Sequence, residues 1–527
     1  MSNITRRDFS RRLALGAAGV AALGAIRESV QGKPGDAASG PKRPNFVFIS
    51  SDQHSFRFAR FMGHPLVRTP NLDKIAARGV VLENNYCGNP VCAPARSCMM
   101  TGMYSSDLNS FGNTTVYDGS YPTWGKRLKD AGYDCRGFGK MDLNAAYDLG
   151  FKGQLLNEHA DDPDITELFR RPPIFRFNDR DIVNGKSRPE RDKYDAEVAQ
   201  GACNFITNES KSLNTPWAVY AGFYMPHPPF VGLKDYFDYY LPLVKPVQVP
   251  EKYLEDMQMP IPYQAMRDFE GVSTPIAAEK IARAYAGYFA KITEVDEYIG
   301  QVYDALEASG QLDNTYFIYT ADHGEALGYN GLWLKNDLYE GAAHVPLIIN
   351  GPGLTSGQRI SQPTGHIDLV ATMMEWAGLG PIKELRGTSL TPLLKGEQSG
   401  GPQWAYSESH SDGNTAGSCM IRAGDWKLMH FTWYGDYLFN LRDDPYEYKN
   451  LIHSADGKEK AAELQNKLHA LVDPEKITMQ AFNRQNQILE GYTKSLSEEK
   501  LFDLFKKRLG EGQGRSIAQK LKSGMLC

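Results

Sequence analysis

Residues 45–50 read NFVFIS, an almost unbroken apolar run. A strand with one wet face alternates apolar and polar side chains, so a run of this kind has to be covered on both faces. The texture returns at Ala218–Phe223, in NTYFIYTA ending at Ala321 and in HVPLIIN ending at Asn350. Helix patterns separate the runs. In RTPNLDKIAARG, Thr69 stands at the cap, Pro70 in the first turn, Leu72, Ile75 and Ala76 on one face and Gly79 at the stop. Trp124 and Leu128 mark a second helix, stopped by Gly132 and followed by a short strand to Lys140. Ile281 to Leu306 is a long helix with Ile281, Tyr285, Ile292, Val295, Ile299 and Val302 on one stripe. Such alternation predicts an α/β fold: a large, mostly parallel open sheet with helices on both faces.

In sheets of this type ligands collect beyond the carboxyl ends of the strands. Asp52 with Gln53, Lys140, His227, and Asp322 with His323 all stand at such ends, far apart in sequence but at equivalent addresses. Two carboxylates and an amide oxygen are hard donors suited to calcium or magnesium. His323 could join them as a ligand or bond a substrate oxygen beside the metal. Lys140, His227 and Lys335 bring positive charge and proton donors. Singly, each has a plainer reading. An Asp after a strand is a turn former, a lone Lys is a solvated surface residue, and His227 in MPHPPF is a structural loop histidine. Their convergence on one edge of one sheet is the argument for an active site.

At 527 residues the chain predicts two domains, or one large domain with a satellite. After Leu394 the texture changes. CMIRAGDWKLMHF reads as two strands about a Gly-Asp turn and DYLFNLRDDPYEYKNL as a strand and turn, together a small antiparallel sheet. A charged helical tail follows, with Ala461, Leu464, Leu468 and Leu471 as its apolar stripe. The expected organisation is an export signal over 1–32, a tether over 33–43, a catalytic domain over 44–395, and a small-sheet subdomain with helical tail over 396–527. In the first segment Arg6 and Arg7 are paired, Phe9 follows, and the apolar run Leu13–Ile26 is shorter than the ~20 residues a membrane span needs. This resembles a twin-arginine (Tat) signal, which implies the Tat machinery as a partner and the periplasm or the exterior as destination. An uncleaved anchor or a basic tail is the other reading. No later segment is apolar enough to span a bilayer, so stable membrane insertion is not expected. Residues 1–32 hold five arginines against Asp8 and Glu28, leaving 53 basic and 61 acidic side chains, a net of -8. That balance disfavours nucleic acid, and an anionic substrate would need a local positive cluster.

Seven cysteines at irregular spacing, with no CxxC pair, exclude a disulfide scaffold and a zinc knuckle. Cys92 lies in NPVCAPARSCMMTGMY, where a Pro- and Asn-rich loop enters a helix-prone segment with Arg96 four residues on. It is either a buried or disulfide-bonded cysteine or a nucleophile. No G-x-S-x-G, Walker A, G-x-G-x-x-G or H-E-x-x-H motif offers a rival centre.

CAPARSCMMTGMY resembles the sulfatase signature: Cys92, Pro94 and Arg96 match its C-x-P-x-R core and Thr101-Gly102 its close. PNFVFISSDQ is similar to that family's metal-binding first strand, GKMD to its G-K-x-H element, MPHPPF to its substrate-histidine loop, and TADHGEALGYNGLWLKNDLYEGAAHVPLII to its second metal segment with a sulfate-binding lysine, Lys335. The resemblance implies an alkaline phosphatase-like fold and a sulfuric ester hydrolase. It implies a divalent ion, calcium or else magnesium, on Asp52, Gln53, residue 92, Asp322 and His323. It also implies that a separate formylglycine-generating enzyme oxidises Cys92 to formylglycine. The hydrated aldehyde would attack sulfur, with Asp322 as the activating carboxylate. Lys140, Lys335 and Arg96 would hold the sulfuryl oxygens and His227 would protonate the leaving alcohol. Two departures stand out: Gln53 replaces an Asp, and Asp142 replaces the histidine of G-K-x-H. The combination resembles the arylsulfatase K branch, which implies 2-O-sulfate on the uronic acid of glycosaminoglycan-like polysaccharides as substrate. A phosphonate or phosphate diester hydrolase of the same superfamily, and a glycan-binding protein without turnover, are the competing expectations.

Overall fold

The computed structural model describes residues 43–161, 165–168, 185–255, 258–273, 275–397, 399–411 and 414–524. The signal segment and nearly all of the tether lie outside these residues. The run at 45–50 forms β1 (Asn45–Asp52), buried along its whole length. The strands β2 (Val80–Leu82), β3 (Asp134–Lys140), β4 (Lys152–Leu156), β5 (Trp217–Pro226), β6 (Thr315–Ala321), β7 (Leu347–Asn350) and β8 (Gln358–Ile360) join it in one sheet, ordered β8-β2-β7-β6-β1-β5-β3-β4. β7 alone is antiparallel to its neighbours; the other pairings are parallel. β6, β1, β5 and β3 are therefore adjacent and end on the same edge. These are the strands whose ends carry the residues singled out by sequence.

The two-residue period of β1 sorts its side chains onto two faces. Phe46 and Phe48 pack with Trp124, Leu128, Met99, Met100, Val370 and Met373, from the helices α2 (Cys92–Thr101), α3 (Trp124–Asp130) and a helix over His366–Trp376. Val47 and Ile49 pack with Leu72, Ile75, Val198, Val295, Ile299 and Val302, from α1 (Pro70–Arg78), a helix over Lys193–Asn204 and the long helix Ala278–Ala308. Each fully buried Phe, Ile or Val contributes about 1.5–3 kcal/mol, so an apolar run can only be stable in the middle of the sandwich.

Two details differ from the sequence reading. The long helix begins at Ala278 and ends at Ala308; the apolar stripe marks its packed part, and its polar ends carry no periodic signal. Thr69 does occupy the N-cap of α1, but its side chain does not cap the backbone. Its hydroxyl donates to Asp73 instead. The carboxylate of Asp296, on the long helix, accepts from Asn71 N at 3.0 Å and Leu72 N at 2.8 Å.

β3 and β5 converge tightly beside Lys140. A Cβ on Gly139, at φ +84°, would lie 2.2 Å from the Gly222 carbonyl oxygen, and one on Gly222 would lie 2.0 Å from that of Lys140. Only glycine admits this approach. On the other side the β1–β5 register slips between Ser50 and Asp52, so that Asp52 pairs with Pro226. The sheet opens there, at the end of β1.

The second sheet comprises β9 (Ala405–Ser409), β10 (Ser418–Ala423), β11 (Trp426–Phe431) and β12 (Gly435–Asn440), antiparallel and in chain order. One face takes Ala461, Leu464 and Leu468 from the helix Ala455–Leu471. The other packs Met420, Met429, Phe431 and Phe439 against Tyr86, Tyr263, Leu338 and Tyr339. Glu340 reaches across to Lys427 at 2.9 Å and Arg422 at 3.4 Å, and Lys427 also meets Glu447 at 2.8 Å. Two further helices, Pro474–Ser495 and Glu498–Lys522, complete the tail. Among the described residues every cysteine is free, and no helix is long and apolar enough to cross a membrane.

Candidate active site

α2 starts at Cys92 itself, and all ten of its residues are buried. Cys92 thus sits in the first turn, where unpaired backbone N–H groups and the positive end of the helix dipole favour negative charge. Its Sγ lies 2.8 Å from Lys335 Nζ, 3.3 Å from His323 Nε2 and 3.9 Å from Lys140 Nζ. Burial pushes the thiol up, but Lys140, Lys335 and His323 outweigh it, and its pKa falls well below the ordinary cysteine value. The position is built to hold a negatively charged atom.

Carboxylates surround these cations. Asp52, at the end of β1, ion-pairs with Lys140 at 2.6 Å. Burial and Cys92 oppose its ionisation, yet Lys140, His227 and Arg96 hold it below the usual range. Asp322, just past β6, takes Arg96 Nε at 2.9 Å on one oxygen. Its other oxygen accepts from Gln53 N at 3.0 Å and His323 N at 2.8 Å. Asp52, Cys92, Asp322 and His323 each offer a ligand atom, and those atoms all lie within 4.8 Å of one another.

Gln53 stands at φ 68°, in the left-handed region, which costs a non-glycine residue about 1–3 kcal/mol. The turn directs its backbone N–H to Asp322. Its side-chain Nε2 donates to Glu325, and its buried Oε1 has no partner. An amide oxygen orphaned beside two carboxylates fits a hard divalent cation. Glu325, two residues past His323, was not singled out by sequence. It accepts from Gln53, Leu327 N and Leu334 N, and so ties the Gln53 amide to the loop that carries Lys335. Burial lifts its pKa to about 7.

Arg96 is wholly buried and committed. Besides Asp322 it donates to the Lys140 carbonyl at 2.6 Å, to the Tyr220 hydroxyl at 2.9 Å and to Asp52 at 3.4 Å. Its guanidinium holds two carboxylates and a strand end in place. The sequence reading set it on sulfuryl oxygens, but its Nε and both Nη atoms are already occupied by these partners. His227 follows the cis Met225–Pro226 bond and precedes cis Pro228–Pro229. Its Nδ1–H donates to the Pro228 carbonyl at 2.7 Å, leaving Nε2 toward Lys335 Nζ at 3.3 Å. Burial lowers its pKa to about 4, so the imidazole is neutral at pH 7 and accepts from the ammonium of Lys335. Lys291 Nζ holds the loop from behind, bonded to the carbonyls of His227 and Pro229.

His159 is a further residue that sequence reasoning missed. It lies on the short helix Glu158–Asp161 after β4. That strand, KGQLL, has no apolar run to announce it. Its Nε2 lies 3.6 Å from Asp142 Oδ2, and Asp142 in turn is 3.3 Å from Lys140. Burial pulls the imidazole down, but Asp142 and Cys92 raise it to about 9.

Known proteins resemble this chain over most of its length. The Sulfatase family profile matches residues 44–379, and that of the N-sulphoglucosamine sulphohydrolase C-terminal region matches 328–474. The chain is 30% identical over 431 residues to a choline-sulfatase of Rhizobium meliloti (strain 1021), covering 79% of this chain and 83% of that protein. It is 29% identical to arylsulfatase K of Xenopus laevis, covering 84% and 86%. Among solved structures it is similar to a phosphonate monoester hydrolase of Agrobacterium radiobacter, at TM-score 0.66 and 26% identity over 81% of this chain and 95% of that one. The sheet, the placement of Cys92 and the extent of the family match lead to one conclusion: the chain belongs to the sulfatase family and is a sulfuric ester hydrolase.

Proposed function

We propose that the chain removes sulfate from a sulfated carbohydrate, 2-O-sulfate on a uronic acid of a glycosaminoglycan-like polysaccharide, with residue 92 as nucleophile after conversion to formylglycine. The observation that supports this most is the positive charge gathered on one atom: the Lys335 and Lys140 ammoniums face Cys92 Sγ, with His323 Nε2 beside it, at the amino end of a buried helix. A sulfuryl group is an anion whose charge shifts between oxygens as the ester breaks, and preorganised donors stabilise such shifts best. Asp52, Asp322, His323 and the Gln53 amide oxygen would hold the divalent ion; with the aldehyde made from Cys92 it would supply a Lewis acid and a nucleophile active at neutral pH. The Lys335 ammonium donates to the neutral His227 Nε2, so a proton is held on Lys335 where the leaving alcohol needs one. Arg96 aims both metal carboxylates and favours their ionised forms, adding to Lys140 and His227 at Asp52 and opposing the burial that raises Asp322. The arylsulfatase K motif pattern supports the uronate assignment, and the twin-arginine segment supports export. Export in the folded state implies that Cys92 is modified before the chain leaves the cytoplasm.

The test uses protein matured by a formylglycine-generating enzyme and a substrate panel. The panel holds a 2-O-sulfated uronate disaccharide, a 6-O-sulfated hexosamine, choline sulfate, a phosphodiester and a phosphonate monoester. The 2-O-sulfated uronate should turn over fastest, and Cys92→Ala should lower its kcat/KM by at least ~10⁴-fold while leaving the fold intact. Fastest turnover of the phosphonate or phosphodiester would replace the reading with a phosphohydrolase. Binding with no turnover of any ester would favour a glycan-binding protein.

A further inference from the structure

Two groups of ligating side chains meet at Cys92 and share nothing else. One is the cation site of Asp52, Asp322 and His323; the other is Asp142 with His159, whose ligating atoms also lie within 4.8 Å of Cys92 Sγ and of one another. The second group is built with some care. β4 pairs with β3 in parallel, Lys140 opposite Leu156. Beyond the strands, the Leu156 carbonyl accepts from Met141 N at 2.9 Å and Asp142 N at 3.2 Å, and Asn157 Oδ1 accepts from Leu143 N at 3.1 Å. These bonds clamp the 140–143 loop to the root of the helix that carries His159. Asp142 is held at φ 52°, a left-handed conformation that a non-glycine residue adopts only where its surroundings enforce it. Both Asp142 carboxylate oxygens and His159 Nε2 are buried and make no hydrogen bond within the protein. Asp142 Oδ2 is paired with Lys140 at 3.3 Å and approaches His159 Nε2 at 3.6 Å, but buried polar atoms are nearly always hydrogen-bonded as well, so the group has hydrogen-bonding capacity left for a further partner. The nearest reacting atom is the one on residue 92.

We propose that His159, oriented by the Asp142 carboxylate, is a catalytic residue that hydrogen-bonds the reacting group on residue 92 and holds a proton there. Asp142 Oδ2 lies 3.6 Å from His159 Nε2 and a ring nitrogen of His159 lies within 4.8 Å of Cys92 Sγ, so the carboxylate orients the imidazole beside residue 92. Lys335 and His227 then serve the leaving alcohol, while His159 serves residue 92 itself. Asp142 is a positioning residue, acting through the imidazole. The inference rests on residue 92 being the reacting residue.

Two measurements test it. In protein made without maturation, so that residue 92 stays a thiol, the ring carbons of histidine are labelled with ¹³C. The His159 signal is assigned by its loss in His159→Gln. It should move when Cys92 is replaced by Ser, because a ring nitrogen lies within 4.8 Å of Cys92 Sγ; a signal that ignores that change overturns the proposed hydrogen bond. In matured enzyme, His159→Gln should lower kcat by ~10²-fold with KM changed less than ~2-fold, the range typical of a lost proton-transfer group. Asp142→Asn should show a smaller loss of the same kind. A kcat within ~3-fold of wild type in His159→Gln overturns the catalytic role. Cys92→Ala, run alongside, separates the two ideas. If it retains turnover, the reading of residue 92 fails, whereas the thiol-protein spectrum still reports whether His159 faces that position.

Discussion

At the scale of single residues, the site is a problem in buried charge. Arg96 sits in a fully buried position between Asp52 and Asp322. Removing one partner from such a group leaves the other charge uncompensated, at a cost of about 3–5 kcal/mol. Arg96→Met is therefore expected to lower the unfolding free energy by that amount in guanidinium titrations. Added calcium should recover part of it, since a cation bound by the same carboxylates stabilises the folded state by mass action. No loss of stability, or no response to calcium, would count against the cation site. Asp52, Lys140, His227, Asp322 and His323 were legible as positions in the sequence because strand ends are legible, and Cys92 through its C-x-P-x-R setting at the mouth of a helix-prone segment. An apolar run announces the strand, and the next polar residue falls on the ligand edge. Gln53 was legible as a position, but the φ and the orphaned oxygen that explain it were not. Glu325 and His159 act through geometry that joins remote segments, and no local pattern encodes that.

Secondary elements are held to one another by the same few side chains. Asp296 projects from the long helix onto the start of α1, accepting from Asn71 N, Asn71 Nδ2 and Leu72 N. Burial is the largest influence on it and raises its pKa from 3.8 to about 7, against the pull of those hydrogen bonds. The folded value lies above the unfolded one, so its contribution to stability is complete below pH ~4 and is lost as pH rises toward 7. Relative to Asp296→Asn, the wild type should lose roughly 1.4 kcal/mol per pH unit across that window. Chemical denaturation of both proteins at pH 4.5, 5.5 and 6.5, within that window, would check it, and a difference that is flat or rises with pH would contradict it. The elements themselves were mostly visible from periodicity: α1, α3, the long helix and the buried strands. β4 was not, since its KGQLL sequence lies at a sheet edge where an exposed strand needs no apolar run. The start of α2 at Cys92 was not marked in the sequence, because its first turn, CAP, gives no periodic signal.

The whole molecule depends on the joint between the eight-stranded sheet's domain and the four-stranded antiparallel sheet. Lys427 on β11 is fully buried, 2.9 Å from Glu340 and 2.8 Å from Glu447, and Arg422 on β10 adds to the same cluster. Glu340 begins the short helix Glu340–Ala343, five residues beyond Lys335. The second sheet therefore backs the loop that carries Lys335, whose Nζ lies 2.8 Å from Cys92 Sγ. Lys427→Met should cost about 3–5 kcal/mol and should weaken turnover beyond what unfolding explains, measured as kcat/KM under conditions where circular dichroism shows the fold intact. Unchanged stability would show that the charge cluster is dispensable. The presence of a second, antiparallel sheet was readable from CMIRAGDWKLMHF and its turn. Its contact with the site was not, because the pairing of Glu340 with Lys427 spans segments that no pattern connects.

The account stands on the identity of residue 92 in active protein. The tryptic peptide Gly79–Arg96 carries both Cys87 and Cys92, so Cys87 serves as an internal control. Mass spectrometry of protein recovered from an active preparation should find residue 92 changed by replacement of sulfur with oxygen and loss of two hydrogens, with Cys87 still a thiol. An intact thiol at residue 92 in protein that hydrolyses sulfate esters would contradict the account.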